Sequence, residues 1–227
     1  MSQATHVAAS NSSILSTKIA LAHPRLDFSA RRFWKHPDLH ILLPKFYLEL
    51  YAVVRGGLSV MEIAQRRAEE LSANDPVAAI LADYYAKHLV EERGHDEWLL
   101  EDMEHCGIDR QHAIERIPSG AVAALIGAQQ FWVLQEHPVA FLGYVSVVEG
   151  NPPVQTHINE IRDATGYPDA SFRSLREHAD VDTGHAAELR GLIDSLPLSP
   201  RHHRLLGLSA FETVGGLARI FDQLCGE

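Results

Sequence analysis

Cysteine is nearly absent from this chain: Cys106 and Cys225 are the two in 227 residues. They form no Cys-x-x-Cys pair and no disulfide framework, so neither a stapled secreted fold nor a thiolate metal site is expected, and a cytoplasmic setting fits. Positive charge is also short, with 20 Lys and Arg against 30 Asp and Glu and a net charge of −10. That balance argues against nucleic acid or an anionic membrane as a partner. Residues 1–13 are polar and lack the basic start and apolar core of a signal peptide. The most apolar run, residues 121–134, is interrupted by Gln129 and Gln130, so no stretch suits a bilayer. No alternating strand pattern of useful length occurs, and no linker divides the chain.

What remains is a helical protein, with residues 14–227 as a single domain behind a flexible tail, 1–13. Apolar residues make up 46%, enough for a full core. The punctuation predicts a short helix over 13–21, a turn at His23-Pro24, and a helix over 25–35. A buried helix over 38–54 should start near Pro44 and end at Gly56-Gly57. Ser59 and Glu62 form a capping-box pattern for a further helix to 71. Asp75-Pro76 opens a long helix to 106, stopped by Gly107, and a loop runs to Pro118. Ser119 starts a helix to 135, which Pro138 breaks. Its second half runs to Gly150 and a stop at Asn151-Pro152-Pro153. Helices over 153–165, 169–195 and 199–224 complete the chain.

One pattern occurs twice. His88-Leu-Val-Glu-Glu-Arg-Gly-His95 returns ninety residues later as His178-Ala-Asp-Val-Asp-Thr-Gly-His185. Both read His-x3-acid-x2-His, with Glu92 and Asp182 as the acids and Gly94 and Gly184 before the last histidine. On a helix, offsets of 0, 4 and 7 fall at about 0°, 40° and −20°, a single stripe. This geometry prefers Glu92 to Glu91 weakly and Asp182 to Asp180 firmly. Two imidazoles and a carboxylate are nitrogen and oxygen donors suited to iron, manganese or zinc, and two facing helices can close such a site in a bundle. The bland alternative for each copy is a solvated polar helix face.

Glu149 is the third contributor. It ends the apolar run Tyr144-Val-Ser-Val-Val, in the last helical turn, where the dipole disfavours a negative charge by about 0.3–1 kcal/mol. A carboxylate so placed wants a cation. Seven groups result: His88, Glu92, His95, Glu149, His178, Asp182 and His185. They are too many for one ion and suit two, with the central acid able to bridge. Each triad stretches about 10.5 Å along its axis, and His88 is the member most readily displaced to a supporting position. Glu49 is a weaker candidate, open between ligand, supporting partner and internal ion pair. His36, His40, His105, His112, His157, His202 and His203 read as surface or capping groups. Phe46, Phe131, Trp132 and Tyr144 are open between pocket lining and core. Lys45, Lys87, Arg93 and Arg176 are open between binding a substrate carboxylate and plain surface charge.

At these motifs the chain resembles the haem-oxygenase-like diiron oxidases and oxygenases, the iron-containing redox enzyme family. The matching pieces are His88-x3-Glu92-x2-His95, Val-Val-Glu149-Gly-Asn-Pro-Pro and His178-Ala-x2-Asp182-x2-His185. The resemblance implies an all-α, haem-oxygenase-like bundle of about seven helices. It implies ligands at His178, Asp182, His185, Glu149 and His95. Many members carry an acid where this chain has His88, and others an acid where it has Glu92; the departure implies a nitrogen-rich site. Two Fe(II) ions as cofactor, O2 as co-substrate and a small-molecule substrate derived from an amino acid or fatty acid follow from the same likeness. The chemistry would be C–H oxidation, C–C cleavage or N-oxygenation in biosynthesis, and the likeness also allows a homodimer. Two alternatives stand beside it: a ferritin-like iron oxidase, and a helical binding or cofactor-handling protein without metal, since related folds include thiamin-salvage hydrolases.

Overall fold

The structure is a computed structural model describing residues 9–150 and 153–226, other than the side chains of residues 181–183. The side chain of Asp182, most of the expected tail, and Asn151 and Pro152 of the expected stop therefore lie outside the described residues. Among the described residues the regular structure is helical: α1 (Asn11–Trp34), α2 (Leu39–Leu71), α3 (Pro76–Glu91), α4 (His95–His105), α5 (Arg110–Glu115), α6 (Gly120–Phe131), α7 (Phe141–Val148), α8 (Gln155–Thr165), α9 (Arg173–Ser195) and α10 (Pro200–Leu224). A π-helical turn, Trp132–Glu136, and a 3-10 turn, Pro138–Ala140, join α6 to α7.

Several starts follow local chemistry. Asp75 accepts N–H bonds from Val77 and Ala78 at 2.8 and 3.1 Å, with Pro76 in the first helical position. Ser119 caps α6 through the Val122 N–H. Ser199 caps α10, and its own N–H donates to His202 Nδ1, closing a capping box.

Three expectations are corrected. α1 runs unbroken through Pro24, packed along α10, instead of turning at His23-Pro24. α2 runs unbroken through Gly56 and Gly57, so the glycines do not end a helix and Ser59 caps nothing. They permit close approach: a Cβ on Gly56 would meet Ile126 at 2.7 Å, and one on Gly57 would meet the Tyr144 hydroxyl at 3.0 Å. The third correction falls in the long helix expected over 76–106, which is broken between Glu91 and His95. A short helix, α5, also occupies part of the expected loop.

α2, about 50 Å long at 1.5 Å per residue, serves as a spine between two apolar clusters. One gathers Val60, Leu81, Leu125, Phe141 and Leu206; the other gathers Phe33, Tyr47, Leu99 and Phe172. Phe46, expected as pocket or core, is core, stacked on Phe221 at 5.6 Å. α7 lies tight on α10, where a Cβ on Gly143 would sit 2.3 Å from the Leu206 carbonyl oxygen. That contact fixes the helix that ends at Glu149. No helix among the described residues is long and apolar enough to cross a membrane.

Candidate metal centre

The break between α3 and α4 builds the centre. His88 lies in the last turn of α3, Glu92 is its C-cap, and Gly94 adopts φ +95° and ψ −2° before α4 starts at His95. Only glycine takes that left-handed conformation without strain. The first motif is therefore not one helical stripe. Its side chains converge because the chain turns at Gly94, while the second motif lies within the continuous α9. The sequence echo is not a structural one.

Six of the seven expected residues come together, from the ends of α3, α4 and α7 and the middle of α9. Glu92 belongs to two groups of three whose ligand atoms lie within 4.8 Å of one another: His88, Glu92 and His185, and Glu92, His95 and His178. Its two oxygens face opposite ways. Oε2 is 2.9 Å from His95 Nδ1, and Oε1 is 3.6 Å from His185 Nδ1. Glu149 joins the first group, with Oε1 3.0 Å from His88 Nε2 and Oε2 3.9 Å from His185 Nδ1. His88 is 2% exposed and His95 6%. His178 donates its Nδ1–H to the Ser174 carbonyl at 2.7 Å, which leaves Nε2 with its lone pair.

The charges show what is missing. Burial alone would lower the His88 pKa, but the hydrogen bond to Glu149 and the charges of Glu149 and Glu92 push it up to about 9. Burial would raise Glu92, yet the bond and charge of His95 and the charges of His88 and His178 hold it below the ordinary carboxylate range. His178 is lowered, chiefly by burial, and so favours the neutral, ligating form. Glu149 Oε2 is buried with no hydrogen-bond partner among the described residues, a costly state for a carboxylate oxygen. A proton on His88 and an unpartnered oxygen on Glu149 mark a place that a cation fits. Nitrogen and carboxylate donors of this kind suit iron.

Patterning missed two supporting aromatic groups. Tyr84 stacks on His88 with ring centres 5.3 Å apart, and Trp98 on His95 at 4.1 Å. Both sit at helical spacing, four before and three after, so the signal was present. Glu91 Oε2 reaches His88 Nδ1 at 3.4 Å. Tyr144 is buried beside the acids, and burial first, then Glu149 and Glu92, raises its phenol pKa. Glu49 is an internal ion-pair partner of Arg116. Phe131 is exposed and Trp132 half-buried. Lys87 pairs with Glu188 and Glu91, and Arg176 bonds Gln155, Asn159 and Asp169; Lys45 and Arg93 are exposed.

A second cluster, Asp75, His137 and His202, also lies within ligand distances. Protons exclude it as a metal site. The Val139 N–H points at His137 Nδ1 at 3.0 Å, and the Ser199 N–H at His202 Nδ1 at 3.4 Å. Each neutral ring then carries its hydrogen on Nε2 and has no lone pair left to offer. His137 passes that hydrogen to Asp75 Oδ2 at 3.1 Å. The cluster caps the starts of α3, the Pro138 turn and α10.

The order and packing of these helices are those of the haem-oxygenase-like fold. Similar solved structures share the fold. One is a domain of unknown function with a heme oxygenase-like fold from Shewanella denitrificans, at TM-score 0.78 and 18% identity, covering 93% of this chain and 90% of that one. Another is a TenA homolog from Pseudomonas syringae pv. tomato, at TM-score 0.72 and 11% identity, covering 94% and 91%. A TenA homologue from P. horikoshii follows at TM-score 0.55 and 12% identity, covering 92% and 97%. Among curated proteins no sequence matches. The profile of the iron-containing redox enzymes matches residues 59–209, more than half of the chain. The chain belongs to that family, and its general class is oxidoreductase.

Proposed function

We propose that this protein is an O2-dependent non-haem diiron oxidase or oxygenase acting on a small metabolite. The observation that carries the reading is Glu92, one carboxylate shared by two histidine groups and facing each with a different oxygen. His88, Glu149 and His185 would hold one ion, His95 and His178 the other, and Glu92 both. From the sequence motif we assign Asp182 to the same centre. Bound Fe(II) supplies electrons to O2, and with them the capacity to remove hydrogen from a substrate or add oxygen to it.

The chain's own contribution is orientation, charge and dryness. The Ser174 carbonyl holds the His178 Nδ1 hydrogen and so fixes which nitrogen can ligate. Three carboxylates, counting Asp182, against two dications leave a local charge near +1, so the acids can stay ionised without a further counter-ion. Tyr84 and Trp98 stack on His88 and His95, and buried Tyr144 lies beside the acids, an apolar surround that would limit the access of water to bound ions.

The test is an anaerobic Fe(II) titration followed by O2. Uptake of about two irons per chain and an O2-dependent absorbance transient, with a substrate mixture present, are expected. No iron uptake would overturn the reading. A growing ferric mineral core would favour the ferritin-like alternative. The TenA likeness bears on fold alone, and TenA-type hydrolysis surviving a His95→Ala, His185→Ala double variant without metal would favour a metal-free role.

A further inference from the structure

α9 begins without a cap of its own. The residue before its first turn is Phe172, whose side chain can accept no hydrogen bond from the first turn. The free N–H groups are met from another helix. Asp102, two turns along α4 from His95 and fully buried at 0% exposure, accepts the Arg173 N–H on Oδ1 at 3.0 Å and the Ser174 N–H on Oδ2 at 2.9 Å. A carboxylate across two N-terminal amides also meets the positive end of the helix dipole.

The same residue reaches the centre through its other backbone group. Ser174 donates its N–H to Asp102, and its carbonyl accepts the His178 Nδ1 hydrogen at 2.7 Å, four residues on. The Ser174 hydroxyl is much farther from that nitrogen, at 3.5 Å. His178 and His95 face each other with ring centres 5.0 Å apart. Asp102 and His95 thus share α4, while Ser174 and His178 share α9. One carboxylate ties the two helices together beside the pair of imidazoles that they present.

We propose that Asp102 is the positioning residue of the His95–His178 half of the centre: it clamps the first turn of α9 onto α4 and, through the Ser174 backbone, sets both the place and the tautomer of His178. This rests on the reading of the cluster as a two-metal site. The His88–Glu149–His185 half is built on α3, α7 and a later turn of α9, and it does not depend on the clamp.

Asp102→Asn tests it, because the amide keeps the shape but offers only one acceptor and sets an N–H₂ against the second backbone N–H. Co(II), a spectroscopic stand-in for Fe(II), is titrated anaerobically and followed by its d–d bands. Removing groups that orient a ligand typically weakens metal affinity by about 10–100-fold. The variant should lose at least about tenfold for one of its two ions and hold the other at wild-type affinity. Glu101→Gln, which loosens only the exposed pair with Arg173 between the same two helices, should bind both as wild type does. In metal-free wild-type protein, nitrogen NMR should show His178 with its hydrogen on Nδ1 and slow amide exchange at Arg173 and Ser174; in Asp102→Asn, His178 should populate both tautomers.

Equal weakening of both ions would reduce Asp102 to general scaffolding and overturn the proposal, as would an unaltered tautomer with both affinities intact. If Asp102→Asn does not fold, the wild-type tautomer and amide exchange decide it: rapid exchange at Arg173 and Ser174, or an Nε2–H tautomer, overturns the clamp. Wild-type protein that takes up no cobalt fails on the metal reading instead, and the same NMR measurements still judge the clamp.

Discussion

Gly94 and Gly184 hold the same place in the two motifs, yet substitution by alanine should move stability in opposite directions. At Gly94 the backbone is left-handed, φ +95°, and among the described residues no atom beyond its chain neighbours lies within 4 Å of an added Cβ. The cost of Gly94→Ala is therefore almost wholly backbone strain, about 1–2 kcal/mol. At Gly184 the backbone belongs to α9 and the added Cβ again meets nothing within 4 Å among the described residues. There alanine only improves helix propensity and restricts the unfolded chain, a gain of about 0.5–1 kcal/mol. For a chain of this size 1 kcal/mol moves Tm by roughly 2–4 °C. Metal-free Gly94→Ala should then melt about 2–8 °C lower and Gly184→Ala about 1–4 °C higher. Thermal unfolding of both variants, free of metal, is the assay. Equal shifts of the same sign would mean that the break between α3 and α4 is not what distinguishes the two copies, and the geometry assigned to Glu92 would fall with it.

Other outcomes follow from the same structure. The His88 pKa is raised in the folded protein to about 9, so its pair with Glu149 stabilises the metal-free protein fully below the unfolded value near 6.5 and loses that effect as pH rises through about 9. Metal must displace that proton, so calorimetry in buffers of differing ionisation enthalpy should show proton release near pH 7.5, absent in His88→Ala; no difference between the two would refute the assignment. His137 and His202 are both lowered, chiefly by burial. The unfolded chain then binds more protons, and stability should fall as pH drops below about 6.5; His137→Asn, which can still cap Val139, should flatten part of that slope in urea unfolding. Gly143→Ala places a methyl 2.3 Å from the Leu206 carbonyl, and neither backbone can yield cheaply. It should cost roughly 1–3 kcal/mol and weaken metal uptake, because α7 carries Glu149; a variant as stable as wild type would show that α7 and α10 are not held so close.

What could be read from the chain alone was whatever a residue does with near neighbours. Asp75, Ser119 and Ser199 cap the helices that follow them, because each bond closes within three residues. The His-x3-acid-x2-His spacing pointed to five of the six described groups that now converge, and the place of Glu149 at the end of an apolar helix pointed to the sixth. The shape of the centre was not legible. A stripe on one helix was expected at the first motif; a turn at Gly94 was found. Gly56 and Gly57 read as an end and proved to be a place of contact, because the deciding atoms belong to Ile126 and Tyr144, more than sixty residues away. Pro24 sits inside α1, where packing along α10 outweighs a local preference of about 3 kcal/mol. Asp102 gave no signal of its role, because its partners are backbone amides seventy-one and seventy-two residues on. Residue chemistry and spacing thus determined what the chain could hold. Only tertiary structure decided how the donors face one another, since side chains from four separate helix segments meet there and no local rule relates their orientations.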